Sequence, residues 1–300
     1  MFLWSKLSNS QWLDAWEERF TGYPNLVIEV IKGGKSIRLK LFCESRKEAA
    51  AVMERFGGSV RQVAKTEWTR PVPLPRPVKV RDALLVTPEA RPKELAALCA
   101  THPRRQIISI PPEMAFGTGD HATTATCLRL LVDVARERRG TDWSVADLGT
   151  GTGLLAIAAR KLGASSVFAC DFDPFAVEVA ADNLRRNRTD DITLKEQDVL
   201  KWKPRKSGYQ VVLANLFSTV LIEAWPVVAR ALAPGGDLIV SGILASQAWD
   251  VFTAAAGHGL GFVRVVKKGK WVTARGGHLD DLIAAREPVA ARLPKVKTKG

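Results

Sequence analysis

Along the first 66 residues the spacing of hydrophobic and polar positions changes period several times in a fixed order. Residues 2–7 form a short apolar run of strand type. Ser8-Asn9-Ser10 then offers a cap for a helix that sets Trp12, Leu13, Trp16 and Phe20 on one face. Strands are predicted at 25–31 and 36–42, joined by Lys32-Gly33-Gly34-Lys35, and a Gly-Gly pair suits a tight hairpin. Arg46–Phe56 has helical spacing, and a last strand follows at 59–64. The order βαββαβ predicts a small α+β unit of ferredoxin-like type. That fold by itself implies no function.

Residues 69–80 contain four prolines, which exclude a helix or a central strand and predict a linker or extended edge segment. A strand at 83–86, a helix at 92–100 and a strand at 106–110 come next. From position 144 onward, short apolar strands alternate with helical stretches, the pattern of a parallel α/β sheet. The strands are predicted at Ser144–Leu148, 166–170, 192–196, 211–215 and 238–243, with Pro234-Gly235-Gly236 ending the helix before the fifth. A final helix at 246–256 precedes strands at 262–266 and 271–274 around Lys267-Lys268-Gly269-Lys270, so the sheet is expected to finish with an antiparallel pair. There is no internal repeat.

The 300 residues are 46% hydrophobic and 25% charged, enough for two domains and unlike a disordered polymer. No apolar run approaches a membrane span, and the first twenty residues are amphipathic without a signal-peptide core, so a cytoplasmic location is expected. Cys43, Cys99, Cys127 and Cys170 lack CxxC spacing, which argues against a disulfide framework, and no metal-ligand spacing is present. The net charge of +13 suggests an anionic partner such as nucleic acid. Its distribution alters that reading. Residues 1–110 hold 19 basic and 11 acidic side chains, residues 111–285 hold 20 and 19, and residues 286–300 hold 5 and 1. The basicity therefore belongs to the N-terminal region and to a Pro-containing tail at 286–300 that is expected to be disordered.

The segment Val145-Ala146-Asp147-Leu148-Gly149-Thr150-Gly151-Thr152-Gly153 places three alternate glycines where a buried strand turns into a helix. Glycine lets the backbone bend there and approach a ligand, with helix N–H groups aimed at it. Asp171 stands 22 residues beyond Gly149 at the end of the second strand, placed to accept hydrogen bonds from ribose hydroxyls. A dinucleotide fingerprint is GxGxxG, whereas this is DxGxGxG; a nicotinamide dehydrogenase is the main competing reading. Asp198, at the end of the third strand, is a candidate partner for an adenine amino group, and Asp173 is better read as a helix cap before Pro174.

The DxGxGxG strand-turn, the terminal antiparallel pair and Pro234-Gly235-Gly236 resemble class I S-adenosylmethionine-dependent methyltransferases, a Rossmann-like fold with a mostly parallel seven-stranded sheet. Two further segments narrow the resemblance: Ala115-Phe116-Gly117-Thr118-Gly119-Asp120-His121-Ala122-Thr123-Thr124 ahead of the glycine strand, and Ala214-Asn215-Leu216 with Ser241-Gly242-Ile243-Leu244 after it. These resemble the bacterial methyltransferases that modify large-subunit ribosomal protein eleven, over about residues 105–275 closely and over the N-terminal unit as architecture only. The resemblance implies S-adenosylmethionine as cofactor and carries cofactor-binding roles onto Thr124, Gly149, Asp171 and Asn215. Gly151 and Gly153 complete the loop, and Phe116 is placed to pack over the cofactor. The chain departs from the family's AFGTGTHPTT at Asp120 and Ala122, which bears on substrate detail and loop mobility.

The resemblance further implies a protein methyltransferase acting on amino groups, lysine side chains and the N-terminal amine, of a large-subunit ribosomal protein. Asn215 is the candidate for orienting the amine and His121 for taking its proton. The expected layout is a substrate-recruiting domain at 1–66, linker and connecting elements at 67–104, the methyltransferase domain at 105–285 and the tail, with weak ribosomal RNA contact through the basic ends. Three alternatives stand beside this: a lysine methyltransferase for another protein, an RNA methyltransferase, and a cofactor-binding scaffold without activity. The RNA reading is weakened because Ala214-Asn215-Leu216 lacks the (N/D)PP(Y/F) pattern of many base-amine methyltransferases.

Overall fold

The computed structural model describes residues 1–20, 25–31, 35–63, 76–111 and 121–285. The turn at Lys32-Gly33-Gly34, Phe116, Asp120 and the 286–300 tail lie outside the described residues. The chain divides into two compact units, Met1–His121 and Ala122–Gly300.

The first unit opens with β1 (Phe2–Asn9), a 3-10 turn (Ser10–Trp12), α1 (Leu13–Arg19), β2 (Leu26–Val30), β3 (Ser36–Cys43), α2 (Arg46–Phe56) and β4 (Ser59–Gln62). The four strands pair in the order β2-β3-β1-β4, all antiparallel, as the predicted βαββαβ unit requires. Strand alternation buries Ile37, Leu39, Leu41 and Cys43. Trp4 is fully buried and its ring lies 5.9 Å from Phe20 and 6.3 Å from Phe56. Two expectations are corrected. Ser8 belongs to β1, and its hydroxyl accepts from Trp16 Nε1 at 2.8 Å instead of capping a helix. Trp12, expected on the buried face, sits in the 3-10 turn and is 54% exposed, because three residues per turn rotate it away from Trp16 and Phe20.

Beyond position 76 the same unit carries β5 (Val78–Val80), β6 (Leu84–Thr87), α3 (Pro92–Thr101) and β7 (Gln106–Ser109). These strands form their own three-stranded sheet, β5 antiparallel and β7 parallel to β6. The strand at 106–109, which the chain order sets at the head of the catalytic segment, thus pairs with Leu84–Thr87 inside the first unit.

The second unit contains α4 (Ala122–Glu137), β8 (Ser144–Leu148), α5 (Leu154–Lys161), β9 (Ser166–Asp171), α6 (Pro174–Asn187), β10 (Thr193–Glu196), β11 (Tyr209–Asn215), α7 (Ser218–Ala231), β12 (Leu232–Leu244), α8 (Ala248–Ala256), β13 (Leu260–Lys268), β14 (Trp271–His278) and α9 (Leu279–Ala284). The seven-stranded sheet runs β10-β9-β8-β11-β12-β14-β13. The first five strands are parallel, and β14 pairs antiparallel with both β12 and β13. This is the expected α/β sheet with an antiparallel end. β8 is central and buried at every position, because helices cover both faces of a parallel sheet. Chain order reverses between β8 and β11, and such a reversal opens a crevice at the carboxyl ends of the strands.

One expected boundary moves. α7 ends at Ala231, and Pro234-Gly235-Gly236 lies within β12, not at a helix end. Tyr209 faces Leu232 and Val211 faces Asp237, so the chain bulges out around a proline that has no N–H to give the ladder. The bulge is pinned by Asp237, which accepts from Arg138 Nε at 3.0 Å and Arg275 Nε at 2.9 Å. Among the described residues no helix is long and apolar enough to cross a membrane.

Candidate functional site

The glycine loop leaves β8 at the crevice. The N–H groups of Gly149 and Thr150 both donate to Cys170 O at 2.9 Å, which stitches the turn to β9. Gly149, Gly151 and Gly153 have φ of +72°, +56° and +80°, the left-handed region that favours glycine. A Cβ on Gly149 would stand 2.3 Å from Leu216 Cδ2, so any larger residue there would require the Leu216 side chain to move. Gly153 caps α5 without a side-chain hydrogen bond, leaving the helix N-terminus facing the crevice with its positive dipole end.

Asp147, the acid inside β8, is 1% exposed. Its Oδ2 accepts from Thr150 Oγ1 at 2.6 Å and Ala156 N at 3.1 Å, holding both ends of the loop, while Oδ1 is buried without a partner. Burial pushes its carboxyl from an ordinary 3.8 up to about 7, against the pull of those two donors. With the folded value raised, the contribution to stability is full below about pH 3.8 and is lost as pH rises through about 7. Asp147→Asn keeps the acceptor and stays neutral. Its melting temperature relative to the parent is therefore expected to improve between about pH 5 and pH 8, as followed by circular dichroism. A pH-independent difference would contradict this account of Asp147.

Asp171 closes β9 and is 8% exposed. Oδ2 accepts from Gly151 N at 2.9 Å and Oδ1 from Asp173 N at 3.1 Å, so the carboxylate ties the glycine loop to the β9–α6 turn. Burial raises its pKa and these N–H groups oppose the shift. Each oxygen retains acceptor capacity for a ligand hydroxyl. Asp173 caps α6 as expected, accepting from Phe175 N at 3.0 Å with Pro174 in the first turn. Asp198 follows β10. Its Oδ1 accepts from Leu200 N at 2.9 Å and its Oδ2 lies 3.2 Å from Lys201 Nζ, and these groups lower its pKa, the Leu200 N–H most.

On the other side of the crevice, Asn215 ends β11. Its Nδ2 lies 3.5 Å from Thr123 Oγ1 and 3.4 Å from Thr124 Oγ1, at the start of α4. Its Oδ1 is shut off from solvent with no partner. Leu216 N donates to Ser241 O at 3.1 Å, and a Cβ on Gly242 (φ +80°) would strike Leu216 O at 2.4 Å, so the Ser241-Gly242 pair fixes the Asn215-Leu216 turn. Thr124, Gly149 and Asn215 are thus brought to the carboxyl edge of one sheet, with Gly151 bound to Asp171 and Gly153 opening the next helix. His121 directly precedes α4. Ala122 is the first residue of that helix, and the loop before His121 lies outside the described residues.

The sequence reading missed α4, and with it Thr123 as the second hydroxyl beside Asn215. An apolar row through Cys127, Leu128, Leu131 and Ala135 carried the helical signal. Asp147 was visible as an acid in the motif, but its role as a strut follows only from the fold.

This geometry can be set beside known proteins. The family model described as "Ribosomal protein L11 methyltransferase (PrmA)" matches residues 28–278. A protein named ribosomal protein L11 methyltransferase from Agrobacterium fabrum is 41% identical over 179 residues, covering 57% of this chain and 59% of that one. Its namesake from Listeria innocua is 35% identical over 219 residues, covering 73% and 67%. The chain thus spans less than two thirds of the Agrobacterium relative and about two thirds of the Listeria one. A crystal structure titled ribosomal protein L11 methylase from Lactobacillus delbrueckii subsp. bulgaricus superposes with a TM-score of 0.52 at 29% identity, covering 58% of this chain and 86% of that one. With glycine loop, paired acids and strand-end asparagine in place, and the family model matched over most of its length, the chain belongs to the ribosomal protein L11 methyltransferase family.

Proposed function

We propose that this chain is a cytoplasmic protein N-methyltransferase that moves methyl groups from S-adenosylmethionine to amino groups of ribosomal protein L11. The observation that carries the reading is the Oδ1 of Asn215, buried without a partner where β11 ends, in the same sheet whose β8 and β9 ends carry the glycine loop and Asp171. An unpaired buried acceptor costs about 1–3 kcal/mol, and a site that receives an N–H donor offsets that cost.

The residues present fit the cofactor. Asp171 accepts from ribose hydroxyls while Gly149, Gly151 and Gly153 let the main chain approach, and Thr124 bounds the opposite wall. Asp198 has lone pairs left for an adenine amino group in competition with Lys201. When bound, S-adenosylmethionine supplies an electrophilic methyl group on a sulfonium. Transfer is an in-line displacement, so positioning dominates. A lysine amine, with a pKa of about 10.4 in water, must first shed a proton. Transfer into a partly apolar crevice lowers that value. Asn215 accepts one amine N–H and so aims the nitrogen lone pair along the line of attack, and His121 takes the released proton directly or through water.

We assign residues 1–66 to substrate recruitment and, since the strand at 106–109 pairs inside the first unit, residues 122–285 to methyl transfer, with weak ribosomal RNA contact through the basic ends. Incubating the full chain with labelled methyl donor, purified ribosomal protein L11 and, in parallel, ribosomal RNA tests the reading. Label is expected in the protein. Label confined to RNA would replace the proposal with an RNA methyltransferase.

A further inference from the structure

The four-stranded sheet of the first unit has two unlike faces. One packs its apolar side chains, Ile37, Leu39 and Leu41 among them, out of water. The other presents Ser5, Leu7, Arg38, Lys40, Ser59 and Arg61. Register aligns them: Lys40 lies beside Ser5 and Arg38 beside Leu7 on one flank of β1, and on the other Ser59 faces Ser5 and Arg61 faces Leu3. Together they line an open cavity of about 590 Å³. Arg38, Ser59 and Arg61 are exposed, and the two serine hydroxyls meet at 3.2 Å. Glu29 is the one acidic residue in the four strands, and it is engaged by Lys40 at 2.6 Å.

The chemistry of this face selects its partner. Protein docking sites are anchored by buried aromatic and apolar side chains near their centre. Here serine, arginine and lysine are joined by Leu7 and Val27, which are exposed, and by Leu3, which is buried, while the aromatic residues Trp4, Trp16, Phe20 and Phe56 cluster together elsewhere in the unit. Of the strand aromatics, only Phe42 shares the open face, half-buried in the row of Leu3 and Arg61. Cations interleaved with hydroxyls are the groups that meet phosphate oxygens and sugars. We propose that the open face of this sheet, through Arg38, Lys40 and Arg61, binds the phosphodiester backbone of RNA with little sequence preference. The proposal rests on the first unit alone and needs no assumption about the chemistry of the second.

The test uses the full chain and a fluorescently labelled oligouridylate, followed by anisotropy across a salt series. Three phosphate contacts to a single strand predict a log–log slope of about −2. Arg38→Glu combined with Arg61→Glu is expected to weaken binding at least tenfold at low salt and to flatten the slope by about 1.4. The milder pair Arg38→Gln and Arg61→Gln should fall between, and circular dichroism verifies that both variants fold. Parent-like RNA binding by the folded variants would overturn the proposal, as would binding that does not depend on salt. Displacement of the RNA by polyglutamate at equal charge concentration would also overturn it, in favour of an acidic protein partner.

Discussion

Asp171→Ala is expected to abolish measurable binding of S-adenosylmethionine. The side chain is 8% exposed and holds Gly151 N at 2.9 Å and Asp173 N at 3.1 Å, so its loss removes the ribose acceptors and also frees the glycine loop. Hydrogen bonds to a charged group contribute about 1.5–3 kcal/mol each. Two of them correspond to a dissociation constant about 100- to 10,000-fold weaker. Asp171→Asn keeps one oxygen and should lie between. Calorimetric titration with S-adenosylmethionine or its demethylated product checks this, and an affinity within threefold of the parent would remove Asp171 from the site.

Asn215→Leu is expected to separate stability from activity. The asparagine has a buried Oδ1 with no partner and holds Thr123 and Thr124 only through contacts of 3.5 and 3.4 Å. Replacing such a group by an apolar one of similar shape is close to neutral or stabilising, so the melting temperature should stay level or rise. Methyl transfer should fall by about 100-fold or more in kcat, the scale on which a misplaced reacting group is felt. The affinity for cofactor should change far less than in Asp171→Ala. A variant that melts lower and turns over normally would make Asn215 an ordinary strand-end residue.

The places of Gly149 and Asp171 in the fold were legible in the sequence for a physical reason, whereas Asn215 was carried over from the family resemblance. Strand, glycine turn and helix follow one another within Ser144 to Leu154, and each local preference agrees with the final structure, so Gly149 and Asp171 could be placed from spacing. Where local and tertiary preferences diverge, the sequence misled. Pro234-Gly235-Gly236 looks like a helix stop, yet the helix ends earlier because Leu232 pairs with Tyr209 and the proline is carried by a bulge that Asp237 and two arginines pin. Ser8 looks like a cap, but its strand pairs with β3 through Asn9, a long-range contact invisible in local sequence. Thr123 was overlooked for the same kind of reason: its partner stands 92 residues away. The charge of +13 carried information only once divided, and three of the basic side chains of the N-terminal region, Arg38, Lys40 and Arg61, share one face of one sheet.

Under the proposed function the crevice transfers methyl groups to protein amines. The most direct test is mass-spectrometric mapping of ribosomal protein L11 after incubation with the full chain and S-adenosylmethionine, with Asp171→Ala as control. Methyl groups on lysine side chains or the N-terminal amine, absent in the control, are the predicted result. An unmodified ribosomal protein, or methyl groups only on carboxylates or on RNA, would contradict the claim.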